Sequence, residues 1–377
     1  MQTKPAPEVD FRRHIPALDG VRGIAALSVV LFHYGGGTQS SFAPLHLMGV
    51  VLHFGWLGVS LFFALSGFLI SGILWDGYHK PGWWKRFYIR RSLRIFPLYY
   101  LAIAIAAVVY LCIGIPASHL IIDLWSYVLY LRDLPYFVGQ LPPQPVRVEL
   151  IHFWSLAVEE QFYLIWPFLL ALFAGKRLGA KRMILILWVL SLAFRAAAVA
   201  MHSPEWGSYF LFGRAGELLA GAYLALSIRG SAEERVRLFQ RLPYVFGVGL
   251  AILIVLGILF PDGDSSSGWW CIAGLALSSI VFASMIGLVL RKGILQSFFD
   301  LPVLRWLGKI SYGVYVYHLF LHWEFLWITD HIAPGLDRNA RLALLFVVAM
   351  TGTLAAASLS FYTYERAFLK LKDRIAH

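Results

Sequence analysis

The stretch MGVVLHFGWLGVSLFFALSGFLISGIL, residues 48–74, is apolar and carries no Asp, Glu, Lys or Arg. It exceeds the roughly 20 apolar residues that an α-helix needs to cross a hydrocarbon core. A helix is the expected structure, because lipid offers no partner for free backbone N–H and C=O groups. The glycines within the stretch leave room for a tilt or a break. Residues 48–74 therefore predict a membrane-spanning helix.

The composition extends this prediction to the whole chain. Of the 377 residues, 59% are hydrophobic and 14% are charged, where a soluble domain carries about 25% charged residues. These values exclude a disordered chain and a small disulfide scaffold, and they disfavour a soluble enzyme. Cys112 and Cys271 stand alone in apolar segments, so we expect no zinc site, no other metal and no disulfide framework. The net charge of +11 comes from residues between apolar stretches, which argues against a nucleic-acid partner.

Hydropathy predicts an all-α, polytopic membrane bundle of ten helices. The predicted spans are 18–34, 48–74, 94–115, 153–174, 183–202, 208–228, 243–260, 269–290, 310–330 and 341–363. Segment 119–131 is short for a span and carries Asp123. We predict that this segment is re-entrant or interfacial on the outer side.

The distribution of Lys and Arg supports this topology. With the N-terminus in the cytoplasm, the inside segments hold 26 of the 32 basic residues and the outside segments hold four. The inside segments are 1–22, 75–94, 175–182, 229–242, 291–309 and 364–377. Such an asymmetry is a strong positive-inside signal. It predicts an integral protein of the bacterial cytoplasmic (inner) membrane with both termini cytoplasmic.

The predicted organisation is one membrane domain with short tails. We assign residues 1–14 to a cytoplasmic N-terminal tail, 15–365 to the membrane domain and 366–377 to a cytoplasmic C-terminal tail. Since about 14 residues follow the last predicted span, we expect no additional soluble domain.

The first span carries three polar side chains near one face. Arg22 and His33 are 11 residues apart, which returns to within roughly 20° of one helix face after a rise of about 16 Å. Asp19 lies one turn before Arg22. Ionisable groups within a span are expensive and indicate function. The alternative is that Arg22 only orients the helix and His33 only lies at the interface.

Two further clusters are candidates for binding and catalysis. Arg91 and Arg94, with Arg90 beside them, crowd the cytoplasmic end of the third span and suit a phosphate group. An ordinary basic flank is the alternative. Glu159 and Glu160 lie about two turns into the fourth span, at a depth similar to that of His33. One of them could orient an imidazole, or it could pair with a buried arginine.

The remaining candidates lie in later spans and in the second one. Arg214 and Glu217 are three residues apart and can pair with each other, and Arg195 lies in the outer half of its span. Ser66 precedes Gly67, where close helix packing is the simpler explanation. Ser311, Tyr312, Tyr315 and His318 give the ninth span a polar face, and His318 is either a second active-site imidazole or a satisfied buried histidine.

Five motifs together resemble the acyltransferase-3 family of membrane O-acyltransferases. They are LDGVRGIAALSVVLFHY, FFALSGFLI, RRSLRIFPLYY, FWSLAVEEQFYL and ISYGVYVYHLF, in the family's order, and the resemblance covers about residues 15–365. It implies a ten-helix protein that passes an acyl group from cytoplasmic acyl-CoA, with acetyl-CoA as the default, to a hydroxyl group. The acceptor is usually a sugar of an envelope glycan.

The resemblance also implies roles for individual residues. The family's arginine–ten-residue–histidine pattern matches Arg22 and His33, and its paired arginines match Arg91 and Arg94. His33 would be the general base, oriented by Glu159 or Glu160. The acyl-CoA candidates are Arg22, Arg91, Arg94, Ser66, Tyr312 and His318. The acceptor candidates are Asp19, Arg195, Arg214 and Glu217.

Two alternative functions remain open at the level of the sequence. The first is O-acylation of a diffusible small product such as an antibiotic, in place of a carbohydrate or lipid-linked glycan. The second is a transporter of an anionic or sugar substrate, which would also use charged residues within the membrane. Membrane lipid is a partner in every case, and the oligomeric state is not predicted.

Overall fold

The computed structural model describes residues 14–35, 43–116, 124–134, 148–261 and 263–375. These residues form helices and short connections, without any β-strand. The first helices are α1 (Pro16–Gly35), α2 (Ala43–His53), α3 (Leu57–Gly77), α4 (Trp83–Cys112) and α5 (Trp154–Ala171). They are followed by α6 (Arg177–Ala200), α7 (Pro204–Tyr209), α8 (Leu211–Ile228), α9 (Ala232–Leu259) and α10 (Leu275–Val289). The last are α11 (Ile294–Phe299), α12 (Pro302–Phe320), α13 (His322–Ile332), α14 (Arg338–Ser360) and α15 (Arg366–Ile375). The all-α prediction is confirmed for the described part of the chain.

Eight helical segments in the described residues are long and apolar enough to cross a membrane. They are Pro16–Gly35, Met48–Gly77, Trp83–Cys112, Arg177–Ala200, Pro204–Ile228, Ala232–Leu259, Trp270–Val289 and Arg338–Leu371. The chain is therefore an integral membrane protein. The fourth predicted span corresponds to α5, which carries two glutamates, and the ninth is divided between α12 and α13. The total of ten spans stays a prediction.

Several helix boundaries differ from those predicted. A 3₁₀ turn at Phe54–Trp56 separates α2 from α3, which is the break that the glycines of this stretch permit. Helix α4 begins at Trp83, directly after Gly82 with its positive φ of 67°. Arg91 and Arg94 therefore lie within the helix and not before it, because arginine is a good helix former and a long side chain can reach the aqueous boundary.

The predicted outer segment and the tails are only partly described. Residues 119–123 lie outside the described residues, and residues 124–128 are helical. The re-entrant or interfacial placement stays a prediction. Residues 1–13 and 376–377 also lie outside the described residues, while a π-helical turn at Phe361–Glu365 joins α14 to α15.

The chain divides into two compact units. The first consists of residues 1–28, 56–81 and 161–309, and the second of residues 29–55, 82–160 and 310–377. In the first unit, Gly67 of α3 lies against the backbone of Leu218 in α8. Gly221 of α8 lies in the same way against the backbone of Ala64. A side chain at either glycine would overlap the facing helix, so these residues permit the close approach typical of membrane helices.

The second unit has an aromatic core next to α4. The Tyr99 ring stacks on Tyr130 at 4.1 Å between centroids and on Phe153 at 4.9 Å. Its hydroxyl donates a 2.8 Å hydrogen bond to the carbonyl oxygen of Tyr127. The phenol is fully buried and satisfied, as a buried tyrosine must be. This packing holds the start of α5 beside α4.

Candidate active site

His33 lies near the carboxyl end of α1, in the second unit, with an exposed side chain. Its Nδ1 is 2.8 Å from the carbonyl oxygen of Val29, one turn earlier on the same helix. A carbonyl oxygen only accepts hydrogen bonds, so Nδ1 carries the proton when the imidazole is neutral. The lone pair then lies on Nε2. This arrangement suits a general base or a nucleophile.

Two buried histidines extend from His33. The His318 ring lies 5.0 Å from the His33 ring, and the His152 ring lies 4.8 Å from that of His318, both measured between centroids. His318 Nδ1 is 2.6 Å from the carbonyl oxygen of Tyr315, and His152 Nε2 is 3.1 Å from that of Val316. The same donor argument leaves one unprotonated nitrogen on each ring. His33, His318 and His152 thus form a row of imidazoles whose tautomers are set by backbone carbonyls.

Hydroxyl groups hold this cluster in place. The Tyr34 hydroxyl bonds to the carbonyl oxygen of His318 and lies 3.2 Å from Nδ1 of His322. On the other side, the Tyr315 hydroxyl donates a 2.9 Å bond to the carbonyl oxygen of His152 and contacts Ser155. These bonds tie α1, α5 and α12 together around the imidazoles. No three His, Cys, Asp or Glu side chains among the described residues are grouped so that they could hold a metal ion.

Among the described residues, the hydrogen-bond partner of the His33 ring is Val29. Glu160 is half-buried and interacts electrostatically with Arg91. The orientation of His33 by Glu159 or Glu160 stays a prediction.

Arg91 and Arg94 are one turn apart on α4, and both are half-buried. Arg91 interacts with Glu160, and Arg94 interacts with Glu365 of the π-helical turn. Tyr312 lies in the same unit, and its hydroxyl donates a 2.8 Å bond to the carbonyl oxygen of Ile95. The binding of an anionic ligand by these side chains stays a prediction.

The residues at the start of α1 form an ion-pair cluster in the first unit. Arg22 Nη1 is 3.0 Å from Asp19, and His14 Nε2 is 2.8 Å from the other carboxylate oxygen of Asp19. The predicted proximity of Asp19 and Arg22 on one helix face is therefore observed. Arg22 and His33 belong to the same continuous helix. Their separation of about 16 Å stays a prediction from helix geometry.

A buried ionic cluster lies among α3, α6 and α8 of the first unit. Arg214 Nη2 is 3.3 Å from Glu217, and Ser60 Oγ is 3.2 Å from both side chains. Arg195 is fully buried, and the described residues offer no hydrogen-bond acceptor to its three guanidinium nitrogens. The carboxylate of Glu217 interacts electrostatically with it. Ser66 is half-buried on α3, where the neighbouring Gly67 packs against α8 as the packing alternative predicts.

Several residues of these clusters were not among the candidates from the sequence. They are His152, Ser155, Glu365 and Ser60. The position of His152 could have indicated a role. His152 comes directly before the fourth predicted span and His33 lies at the end of the first, so both should lie near the outer surface. Nothing in the local sequence distinguishes Ser60 or Ser155 from a serine that only bonds to its own helix.

Comparison with protein families identifies the class. An acyltransferase domain family matches residues 15–361, which is most of the chain. The chain therefore belongs to this acyltransferase family, and the resemblance inferred from the five motifs is confirmed. No solved structure matches the chain.

Individual relatives carry more specific names. The chain is 28% identical over 395 residues to the peptidoglycan O-acetyltransferase OatA of Listeria monocytogenes, a match that covers 95% of this chain and 56% of that protein. It is 30% identical over 329 residues to the putative peptidoglycan O-acetyltransferase YrhL of Bacillus subtilis, covering 82% of this chain and 49% of that protein. The chain thus spans about half the length of the relatives that it matches.

Proposed function

We propose that this protein transfers an acyl group, by default acetyl, from acyl-CoA to a hydroxyl group of a cell-envelope glycan, with His33 as the general base. The observation that carries the proposal is the His33 imidazole. It is exposed near the end of a membrane-spanning helix, and Val29 holds its tautomer so that Nε2 is a free base. The family and the names of the relatives support an O-acetyl transfer to peptidoglycan.

In the proposed reaction, the His33 imidazole of the second unit accepts a proton and later returns it. Nε2 of His33 takes the proton of the acceptor hydroxyl while the hydroxyl oxygen attacks the thioester carbonyl carbon. The carbon–sulfur bond then breaks, and the CoA sulfur takes the proton back from the imidazolium. In the covalent alternative, Nε2 attacks the thioester carbonyl carbon, the carbon–sulfur bond breaks, and CoA leaves as the thiol with the Nδ1 proton. The acceptor oxygen then attacks the acyl-imidazole, the carbon–nitrogen bond breaks, and the hydroxyl proton returns to the imidazole. The neutral tautomer suits both routes.

The binding roles belong to the charged residues. Arg91 and Arg94 would hold the phosphates of acyl-CoA, and Arg22 would lie on the path towards His33. The acceptor-binding roles of Asp19, Arg195, Arg214 and Glu217 stay predictions. Glu159 or Glu160 would orient His33, and Glu160 also interacts electrostatically with Arg91.

A direct assay tests the activity. Purified protein is incubated with radiolabelled acetyl-CoA and either peptidoglycan fragments or lipid-linked glycan precursors. Release of free CoA thiol together with label in an ester of the glycan supports the proposal. Label taken up by proteoliposomes without consumption of the thioester would favour a transporter, and a labelled diffusible product would change the acceptor. Label trapped on the protein after an acid quench would favour the covalent route.

The proposed orientation places both termini and the basic segments in the cytoplasm. It can be tested in cells with single cysteines in a background lacking Cys112 and Cys271. A cysteine at Ser266 should react with an impermeant thiol reagent applied from outside, and one at Ser231 should not. Outside labelling at position 231 would reverse the orientation and exclude a cytoplasmic donor for this site.

A further inference from the structure

A cleft of about 680 Å³ lies in the first unit, among α6, α8, α9 and α10. One end is lined by charged side chains and the other by apolar ones. The basic side chains are those of Lys181, Arg237 and Arg241, and the apolar lining includes Leu185, Trp188, Leu219, Val245 and Ile280. None of these residues belongs to the clusters described above. The cleft therefore needs an explanation of its own.

The charged end of the cleft is net positive. Arg237 and Arg241 are four residues apart on α9, so they share a helix face, and both are exposed. The Lys181 ammonium lies 4.6 Å from the centre of the Tyr223 ring. The carboxylate that lines the cleft, Glu234, is already bound by Arg177 and by the backbone N–H of Ser231 at 2.8 Å. An anion at this end would meet three cations and one compensated carboxylate.

The carboxylate of Glu233 next to Arg237 does not cancel the positive charge at this end of the cleft. Glu233 is 3.6 Å from Arg237, but its side chain is 87% exposed, so water screens the pair. Arg241 has no carboxylate partner among the described residues. The guanidiniums of α9 are therefore available to a ligand.

The dimensions of the cleft match one leaflet of a bilayer. Lys181 and Trp188 are seven residues apart on α6, which is about 10 Å of helix rise. Half of a hydrocarbon core is about 15 Å thick. The basic end would lie at the level of lipid headgroups, and the apolar end would lie at the level of acyl chains.

We propose that this cleft binds an anionic glycerophospholipid, with its phosphate at Lys181, Arg237 and Arg241 and one acyl chain along the apolar lining. In the orientation proposed above, this is a lipid of the inner leaflet. An ordinary basic flank would orient the chain without any cavity. An apolar void of this size would forfeit dispersion contacts if it stayed empty, and water gains little among apolar walls. A lipid chain from the surrounding bilayer fills it.

The proposal can be tested by native mass spectrometry of the purified chain in detergent. Phosphatidylglycerol or phosphatidylcholine is added, each at the same concentration. The wild type should retain phosphatidylglycerol preferentially. The variant Lys181→Gln/Arg237→Gln/Arg241→Gln should lose affinity by about fivefold for each charge removed. The matched control Arg182→Gln/Arg305→Gln/Lys309→Gln removes three charges from segments on the same predicted side and should keep the lipid.

A second variant separates the cleft from surface charge. Ala220 and Ala283 face the cleft, and Ala220→Phe or Ala283→Phe should reduce phosphatidylglycerol binding with all charges retained. Equal retention of both lipids by the wild type, or equal losses in the charge variant and its control, would overturn the proposal. Displacement of the lipid by acyl-CoA in the wild type would assign the cleft to the thioester and overturn it as well. Acetyl-transfer activity is not an element of this test, so its outcome is independent of the proposed reaction.

Discussion

The two units of the protein compensate polar side chains within apolar helices in opposite ways. In the first unit, Arg214 and Glu217 are buried, and each neutralises the other with Ser60 between them. In the second unit, His33 is exposed, and a carbonyl oxygen of its own helix satisfies it. A buried ion pair cannot react without exposing an uncompensated charge. A neutral imidazole with a free lone pair can react at once, so we expect the first cluster to contribute stability and propose that the second performs the chemistry.

The largest expected effect breaks the ionic cluster. Glu217→Gln keeps the side-chain volume but leaves Arg195 and Arg214 without their carboxylate, so the free energy of unfolding should fall by about 3–5 kcal/mol. A thermal midpoint in detergent, measured by intrinsic fluorescence, checks this. Asp330→Asn is the matched control, because it breaks the exposed pair with Arg341 and should change the midpoint little. Equal midpoints for the two variants would contradict a structural role of Glu217.

The next effect concerns the imidazole. His33→Ala should reduce turnover by about 10²-fold or more, the usual contribution of a general base. The thermal midpoint and CoA binding should stay close to those of the wild type, since the exposed ring contributes little packing. His331→Ala, which removes an exposed imidazole from α13 of the same unit, should retain activity. Normal turnover by a folded His33→Ala protein would refute the assignment.

Variants of Arg91 and Arg94 in α4 test whether the second unit also binds acyl-CoA. Arg91→Ala and Arg94→Ala should each weaken CoA binding by about tenfold, the value of one charged hydrogen bond. Added salt should weaken binding to the wild type. Isothermal titration with CoA provides the measurement, and Lys85→Ala, an exposed cation of the same helix, is the control. If CoA affinity is unchanged in both arginine variants, these residues serve topology or lipid contact.

The smallest effect refines the account of the ionic cluster. Ser60→Ala removes the hydroxyl between Arg214 and Glu217 but leaves their 3.3 Å ion pair in place. The expected loss is about 1 kcal/mol of unfolding free energy, read from the same thermal midpoint. Thr351→Ala, which removes an exposed hydroxyl of α14, provides the baseline. A loss as large as that of Glu217→Gln would mean that the hydroxyl, and not the ion pair, organises the cluster.

Features that depend on one helix were predictable from the sequence. Apolar length and charge distribution predict membrane helices, and the structure supplies eight of them in the described residues. The spacing of three residues places Arg22 beside Asp19 and Arg214 beside Glu217, as observed. These predictions succeed because the helical period alone determines which side chains share a face.

Features that depend on contacts between distant segments needed the tertiary structure. His318 lies 285 residues after His33 in the sequence, yet their rings are 5.0 Å apart. Glu160 interacts electrostatically with Arg91, which lies 69 residues earlier in the sequence. Helical periodicity gives the direction of a side chain from its own axis, but the rotation of each helix against its neighbours decides which groups meet. The sequence by itself thus determined the membrane class, the family and the polar faces, while packing decided that His318 and His152 lie next to His33.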